Sequence, residues 1–237
     1  DFGDLATATQ NSSCSSSSTR AVLNGGYAGG AVSTLTFITM ASQGNSNDFG
    51  DKTEASDSCG GTSNSVRAIT AGGGTSTVID FYNISNGGTA LDFGDLTVGR
   101  ATPNATSTAH GGLSEGYQGT RIAPIPRGLG SGQRGIFAGG KLNPAGTVRT
   151  EIQFVTISTT GNSNEFGDLA TSKYGAGGGA SSTRGLHMGG FVDPATSQTA
   201  TEYVEFASLG NAASFGDLTA VRAFSSGCSN STRSLMV

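Results

Sequence analysis

Residues 1–5 read DFGDL, and near copies return as DFGDK at 48–52, DFGDL at 92–96, EFGDL at 165–169 and SFGDL at 214–218. The triplet Asp-Phe-Gly also occurs in protein kinases, where it serves magnesium and ATP. A kinase needs one such triplet together with a glycine-rich nucleotide loop, a strand lysine and a catalytic-loop aspartate. Here the triplet recurs and those companions are missing, so it reads as the punctuation of a repeated fold.

The phenylalanines fall at Phe2, Phe49, Phe93, Phe166 and Phe215, with spacings of 47, 44, 73 and 49. After each comes a stretch of small residues, then an arginine and an apolar run: TRAVLNGG (19–26), VRAITAGG (66–73), QRGIFAGG (133–140), TRGLHMGG (183–190) and TRSLMV (232–237). Before the next triplet stands an alternating segment: TLTFITM (34–40), VIDFYNI (78–84), EIQFVTI (151–157) or TEYVEFA (201–207). Each unit thus offers four short β segments: a, rich in Ser and Gly; b, with its Gly-Gly; c, alternating; and d, the Phe-Gly-Asp. Alternation along c gives two faces, Ile152 and Phe154 opposing Gln153 and Val155. A unit this small cannot bury its own apolar face, so the units must stack.

Four-stranded units of this length are the pattern of a β-propeller. The order Arg, Gly-Gly, aromatic strand, Phe-Gly-Asp resembles the kelch repeat, with Phe where that family usually carries Trp; this chain has no Trp. The resemblance implies an all-β, kelch-like propeller with four short antiparallel strands per blade, and the five copies of the repeat predict a five-bladed one. The expected organisation is one domain over 1–237, in units of about 1–47, 48–91, 92–164, 165–213 and 214–237. The chain begins at d and stops in b, so segment c occurs once less than the others, and the expected parent is a longer polypeptide.

Segment a should line the axis, where only small residues fit: SSCSSSS (12–18), SCGGTS (58–63), GAGGGASS (175–182) and SSGCSNS (225–231). The three cysteines, Cys14, Cys59 and Cys228, all fall there and read as small inner residues, with a thiol cluster or a Cys14–Cys228 pair as alternatives. The recurrent Asp4, Asp51, Asp95, Asp168 and Asp217 match the recurrent Arg20, Arg67, Arg134, Arg184 and Arg233 in number. Equal numbers at fixed positions predict one Asp–Arg bridge per blade, or an Asp that caps a backbone turn.

One unit is long, and its surplus is HGGLSEGYQGTRIAPIPRGLGSGQ at 110–133. Its His110, Glu115, Tyr117, Arg121 and Arg127 are the candidate binding residues, because long loops in compact domains carry recognition and Tyr and Arg favour interfaces. The competing role for the loop is to cover a blade edge or pack on a sister subunit.

Charged residues are 13% of the chain and the net charge is −4, with no basic run, which excludes a nucleic-acid partner. Apolar runs fall far short of the ~20 residues a membrane span needs. No Walker A, C-x-x-C, H-E-x-x-H or G-x-S-x-G pattern is present. No enzyme, cofactor or metal is expected, and His187 reads as structural. Scattered acids such as Glu54, Asp57, Asp80, Asp193, Glu202 and Glu205 do not converge on a glycosidase pattern. The string of Phe-Gly-Asp-Leu, Ser-rich stretch, Thr-Arg and Gly-Gly also resembles repeats in tail, fibre and capsid-decoration proteins of marine tailed bacteriophages. That resemblance implies a non-enzymatic structural or adhesion module, located in a virion or outside the cell. Its partners would be other virion proteins, sister subunits or a host-surface glycan. A lectin-like glycan-binding propeller is the alternative, although Tyr27, Tyr82, Tyr117, Tyr174 and Tyr203 stand at non-equivalent positions.

Overall fold

The computed structural model describes residues 1–108, 134–143, 145–193, 196–230 and 232–237, and these contain strands and no helix. Blade 1 is β1 (Ser13–Ser16), β2 (Arg20–Tyr27), β3 (Ala31–Thr39) and β4 (Asn47–Asp51). Blade 2 is β5 (Gly60–Ser63), β6 (Arg67–Ala71), β7 (Val78–Asn83) and β8 (Leu91–Asp95). Blade 3 starts with β9 (Asn104–Ser107) and β10 (Arg134–Ala138), then carries a small hairpin of β11 (Lys141–Leu142) and β12 (Thr147–Val148). It ends with β13 (Glu151–Thr156) and β14 (Asn164–Asp168). Blade 4 comprises β15 (Gly177–Ala180), β16 (Arg184–Met188), β18 (Thr196–Glu205) and β19 (Ala213–Arg222), with β17 (Phe191–Val192) paired to β18. Finally β20 (Gly227–Ser229) and β21 (Ser234–Met236) pair with each other. Within every blade, neighbours run antiparallel in the order a, b, c, d.

The sheets form a propeller-like ring of four blades, not the five expected from the repeat count. Of the fifth set of segments, β20 and β21 pair as a hairpin. Residues 1–5, expected to close that blade as strand d, lie in no sheet among the described residues. The blades also start at segment a rather than at Phe-Gly-Asp, which closes each one.

Inner strands touch in succession, β1 on β5, β5 on β9, β9 on β15 and β15 on β20. The apolar cores lie between blades. Val22, Leu35 and Phe49 of blade 1 meet Ala68, Tyr82, Ile84 and Ala90 of blade 2. Ile69, Ile79 and Phe93 meet Phe137, Val155 and Ile157 of blade 3; Ile136, Ile152 and Phe166 meet Val204 and Phe206 of blade 4. Each blade thus buries its neighbour's surface, as a unit too small for its own core requires.

The triplet is the clasp of these seams. Phe93 and Asp95 carbonyls accept from Gly161 N (2.7 Å) and Ser163 N (2.8 Å) of blade 3, and the same pair of bonds runs from blade 3 to Gly210 and Ala212 of blade 4. Gly94 has φ +144°, and a Cβ there would stand 2.6 Å from the Gly161 carbonyl carbon, so only glycine permits the approach. The Gly-Gly pairs serve the other side of the ring: Gly73 N donates to Arg100 O, and a Cβ on Gly72 would stand 2.5 Å from that oxygen.

The predicted Asp–Arg bridge is not formed. Each aspartate of blades 1–4 accepts instead from a hydroxyl at the start of its own strand c: Asp51 from Ser33 (2.9 Å), Asp95 from Thr77 (2.9 Å), Asp168 from Thr150 (2.8 Å) and Asp217 from Thr199 (3.1 Å). The arginine emerges on the opposite end of the blade and lies over the aromatic ring of strand c. Its carbon Cζ is 4.7 Å from the Phe37 centroid for Arg20, 4.4 Å from Phe81 for Arg67, 4.6 Å from Phe154 for Arg134 and 4.8 Å from Tyr203 for Arg184.

Candidate interaction surface

The residues proposed from sequence for binding, His110, Glu115, Tyr117, Arg121 and Arg127, lie outside the described residues. The described part of the chain offers three other places where polar or apolar groups collect: the axis, a set of buried polar positions, and the free side of blade 4.

The axial cavity, of about 520 Å³, is lined by the inner strands, including Ser15, Thr62, Thr106, Gly178 and Ser229. Segment a therefore sits where its small residues were expected. Cys14 and Cys228 open onto this cavity, Cys59 is buried 3.4 Å from Ser13 Oγ, and all three are free thiols. Cys14 is exposed to the cavity, yet the strands around it desolvate its thiolate and hold the pKa above the ordinary value. Among the described residues no group of three His, Cys, Asp or Glu could hold a metal.

The buried polar side chains of strand c are structural anchors. Asp80, Gln153 and Glu202 occupy the same position of strand c, and each accepts a backbone N–H from the segment after Phe-Gly-Asp. The donors are Thr53 N (3.1 Å), Thr97 N (3.1 Å) and Ala170 N (2.8 Å). Burial raises the Asp80 pKa, with the Thr53 bonds opposing. Lys173 Nζ lies 2.8 Å from Glu202 Oε1, in ion-pair range though not aligned as a hydrogen bond. His187, fully buried, contacts Asn104 Oδ1 through Nδ1 at 2.8 Å. Burial, then the nearby Lys173 charge, push its pKa down to about 3, so the ring is neutral and Nδ1 donates. These groups tie strands together.

The free side of blade 4 is different in kind. Phe215 is 57% exposed, whereas its equivalents Phe93 and Phe166 are each 3% exposed. Leu209, Val221, Phe224, Leu235 and Val237 are also exposed on blade 4 and the segment after it. Arg184 donates from Nε to Glu205 Oε1 at 2.6 Å, with both side chains exposed. Elsewhere the same arginine reaches across a seam, Arg20 Nη1 to Ile84 O (3.1 Å) and Arg67 Nη1 to Ile157 O (3.0 Å). Further along the rim, Tyr174, Phe191 and Phe224 cluster with centroids 5.2–5.8 Å apart, and Lys141 Nζ lies 5.1 Å from the Tyr174 ring.

Sequence reading missed both the arginine–aromatic stack and the hydroxyl partner of the aspartate. A signal for the second was present: a Ser or Thr stands 18 residues before each of these aspartates. No protein-family model matches the chain, and no curated protein matches it.

Proposed function

We propose that the chain is a non-enzymatic structural and adhesion module of a virus particle, of kelch-like repeat type, which joins its partners through the free side of blade 4. The observation that carries this reading is Phe215, exposed on the side of blade 4 where its counterparts Phe93 and Phe166 are sealed by the next blade. An aromatic side chain left uncovered at a position built to be packed suits an interaction site. Support for a non-catalytic role comes from the buried acids, each engaged by a backbone N–H, and from the hydroxyl-lined axial cavity. The particle assignment draws on the repeat string described above. Antibodies raised against the chain should label intact purified virus particles, and incorporation should fall with Phe215→Glu. Particles that carry no trace of the chain would sink the virion assignment.

A second reading, glycan adhesion, is favoured by one feature, the Tyr174–Phe191–Phe224 cluster. Aromatic faces with a nearby lysine suit stacking against a sugar ring. Glycan-array binding lost in Phe224→Ala, with particle incorporation intact, would select this reading over assembly.

A further inference from the structure

At one apolar position of the repeat the chain buries a lysine. The residue after Phe-Gly-Asp is Leu5, Leu96, Leu169 or Leu218 in four copies and Lys52 in the second. Leu96, Leu169 and Leu218 each lie against the first glycine of a Gly-Gly pair, Gly72, Gly139 and Gly189, and the stem of Lys52 takes the same place against Gly25. Lys52 is only 4% exposed, as well sealed as the leucines. Its Nζ donates to Ser56 O (3.3 Å) and Ser56 Oγ, and it lies 3.9 Å from Cys59 Sγ. Among the described residues no carboxylate stands in ion-pair range of this amine.

The thiol is as irregular as the amine. Each inner strand is preceded by a left-handed residue, Asn11, Ser58, Thr102, Gly175 or Phe224. The residue that follows is Ser12, Pro103, Ala176 or Ser225 in four units and Cys59 in the second. Cys59 is buried, its Sγ 3.4 Å from Ser13 Oγ and 3.7 Å from Asn24 O. In later blades a buried cation stands four residues further on and meets oxygen. Arg100 Nη1 donates to Gly139 O (3.0 Å) and Glu151 O (2.9 Å), and Lys173 Nζ lies 2.8 Å from Glu202 Oε1. Lys52 meets a thiol. The fold demands neither residue, since leucine at the one position and serine or alanine at the other build the same turn elsewhere.

We propose that Lys52 and Cys59 are the site of an oxidative crosslink, an Nζ–Sγ bond made with a hydroperoxide as oxidant. The Cys59 sulfur, as thiolate, attacks a peroxide oxygen; the O–O bond breaks, water leaves, and the thiol has become a sulfenic acid. Lys52 Nζ, having released a proton to water, then attacks that sulfur. The S–O bond breaks, and hydroxide departs as water with a second proton from the nitrogen, leaving a sulfenamide. Sulfur gives up two electrons, the peroxide accepts them, and the chain loses two hydrogens. The bond closes residues 52–59 into a loop and fixes the chain where it passes from β4 of blade 1 to β5 of blade 2.

The probe is hydrogen peroxide applied to the intact chain. The mass should fall by two hydrogens, and trypsin should no longer cut after Lys52, so that 21–67 is released as one peptide. Dithiothreitol should restore both the mass and the cut, because a thiol attacks the sulfenamide sulfur and frees the amine. Lys52→Leu installs the residue of Leu96, and Cys59→Ala that of Ala176, so both variants should fold and neither should lose the two hydrogens. Dimedone, which labels sulfenic acids, should mark Cys59 at least about tenfold more in Lys52→Leu than in the unsubstituted chain. Cys59 recovered as a sulfinic acid with Lys52 still cut, equal dimedone labelling of the two chains, or a loss of two hydrogens that survives in Lys52→Leu would each overturn the proposal. So would a loss that vanishes in Cys14→Ser or Cys228→Ser, since the product would then be a disulfide.

Discussion

The seam between blades 2 and 3 and the free side of blade 4 are built from the same residues. Phe93 and Phe215, Gly94 and Gly216, Arg67 and Arg184 occupy equivalent positions, yet the first of each pair is packed or bonded across a boundary and the second faces solvent. A motif in this repeat therefore has no fixed energetic value. What it contributes depends on whether a neighbour stands opposite, as expected where each unit lends its apolar face to the next.

The largest test of this comparison is the aromatic clasp. Phe93→Ala should destabilise the chain by about 3–5 kcal/mol in a denaturant titration, because it leaves a cavity in a closed core. Phe215→Ala should cost under about 1 kcal/mol. Equal costs would mean that the free side is covered in solution. Next comes the glycine. Gly94→Ala combines an unfavourable φ with a collision on the Gly161 backbone and should cost about 3 kcal/mol, whereas Gly216, at φ +143° with open space around it, should show only the conformational part, about 1 kcal/mol. Thermal melts of the two variants would separate the terms.

Acid sensitivity probes the seam between blades 3 and 4. His187 is held neutral in the fold with a pKa of about 3 and returns to about 6.5 when unfolded. The unfolded chain then takes up the proton first, so stability falls as pH drops from about 6.5 toward 3, by at most about 1.4 kcal/mol per pH unit. His187→Leu, which installs the residue that Leu23 supplies at the same position of blade 1, should flatten that slope. A wild-type slope retained in this variant would assign the acid loss to the carboxylates. Asp80 works in the opposite sense: its raised pKa makes the fold the better proton acceptor, so its contribution becomes more favourable as pH falls. The smallest effect should be the hydroxyl–aspartate bond. Thr77→Val and Thr199→Val should each cost about 0.5–1 kcal/mol and should match, because that bond lies within a blade and ignores the neighbour.

Much of the fold was legible because repetition amplifies weak signals. One Phe-Gly-Asp says little, but its recurrence with Arg, Gly-Gly and an alternating aromatic strand specifies stacked four-stranded units and puts the small residues of segment a at the axis. The Asp–Arg bridge failed for a related reason. Two residues with equal counts and fixed positions can serve opposite ends of a blade, and periodicity carries no information about which end a side chain leaves from. The binding residues chosen from the 110–133 insertion drew on loop length and on the preference of Tyr and Arg for interfaces, and they lie outside the described residues; the surface that stands out among the described ones comes from the repeat itself.

Strand type, strand order and the need for neighbours were determined by the chain locally, through alternation, turn-forming glycine and the small size of each unit. The tertiary structure alone decided that the ring has four blades, that Arg184 meets Glu205 where its equivalents meet a backbone carbonyl, and that Phe215 stands in solvent. Those outcomes depend on what lies across a boundary, and identical motifs have no means of encoding the presence or absence of a neighbour.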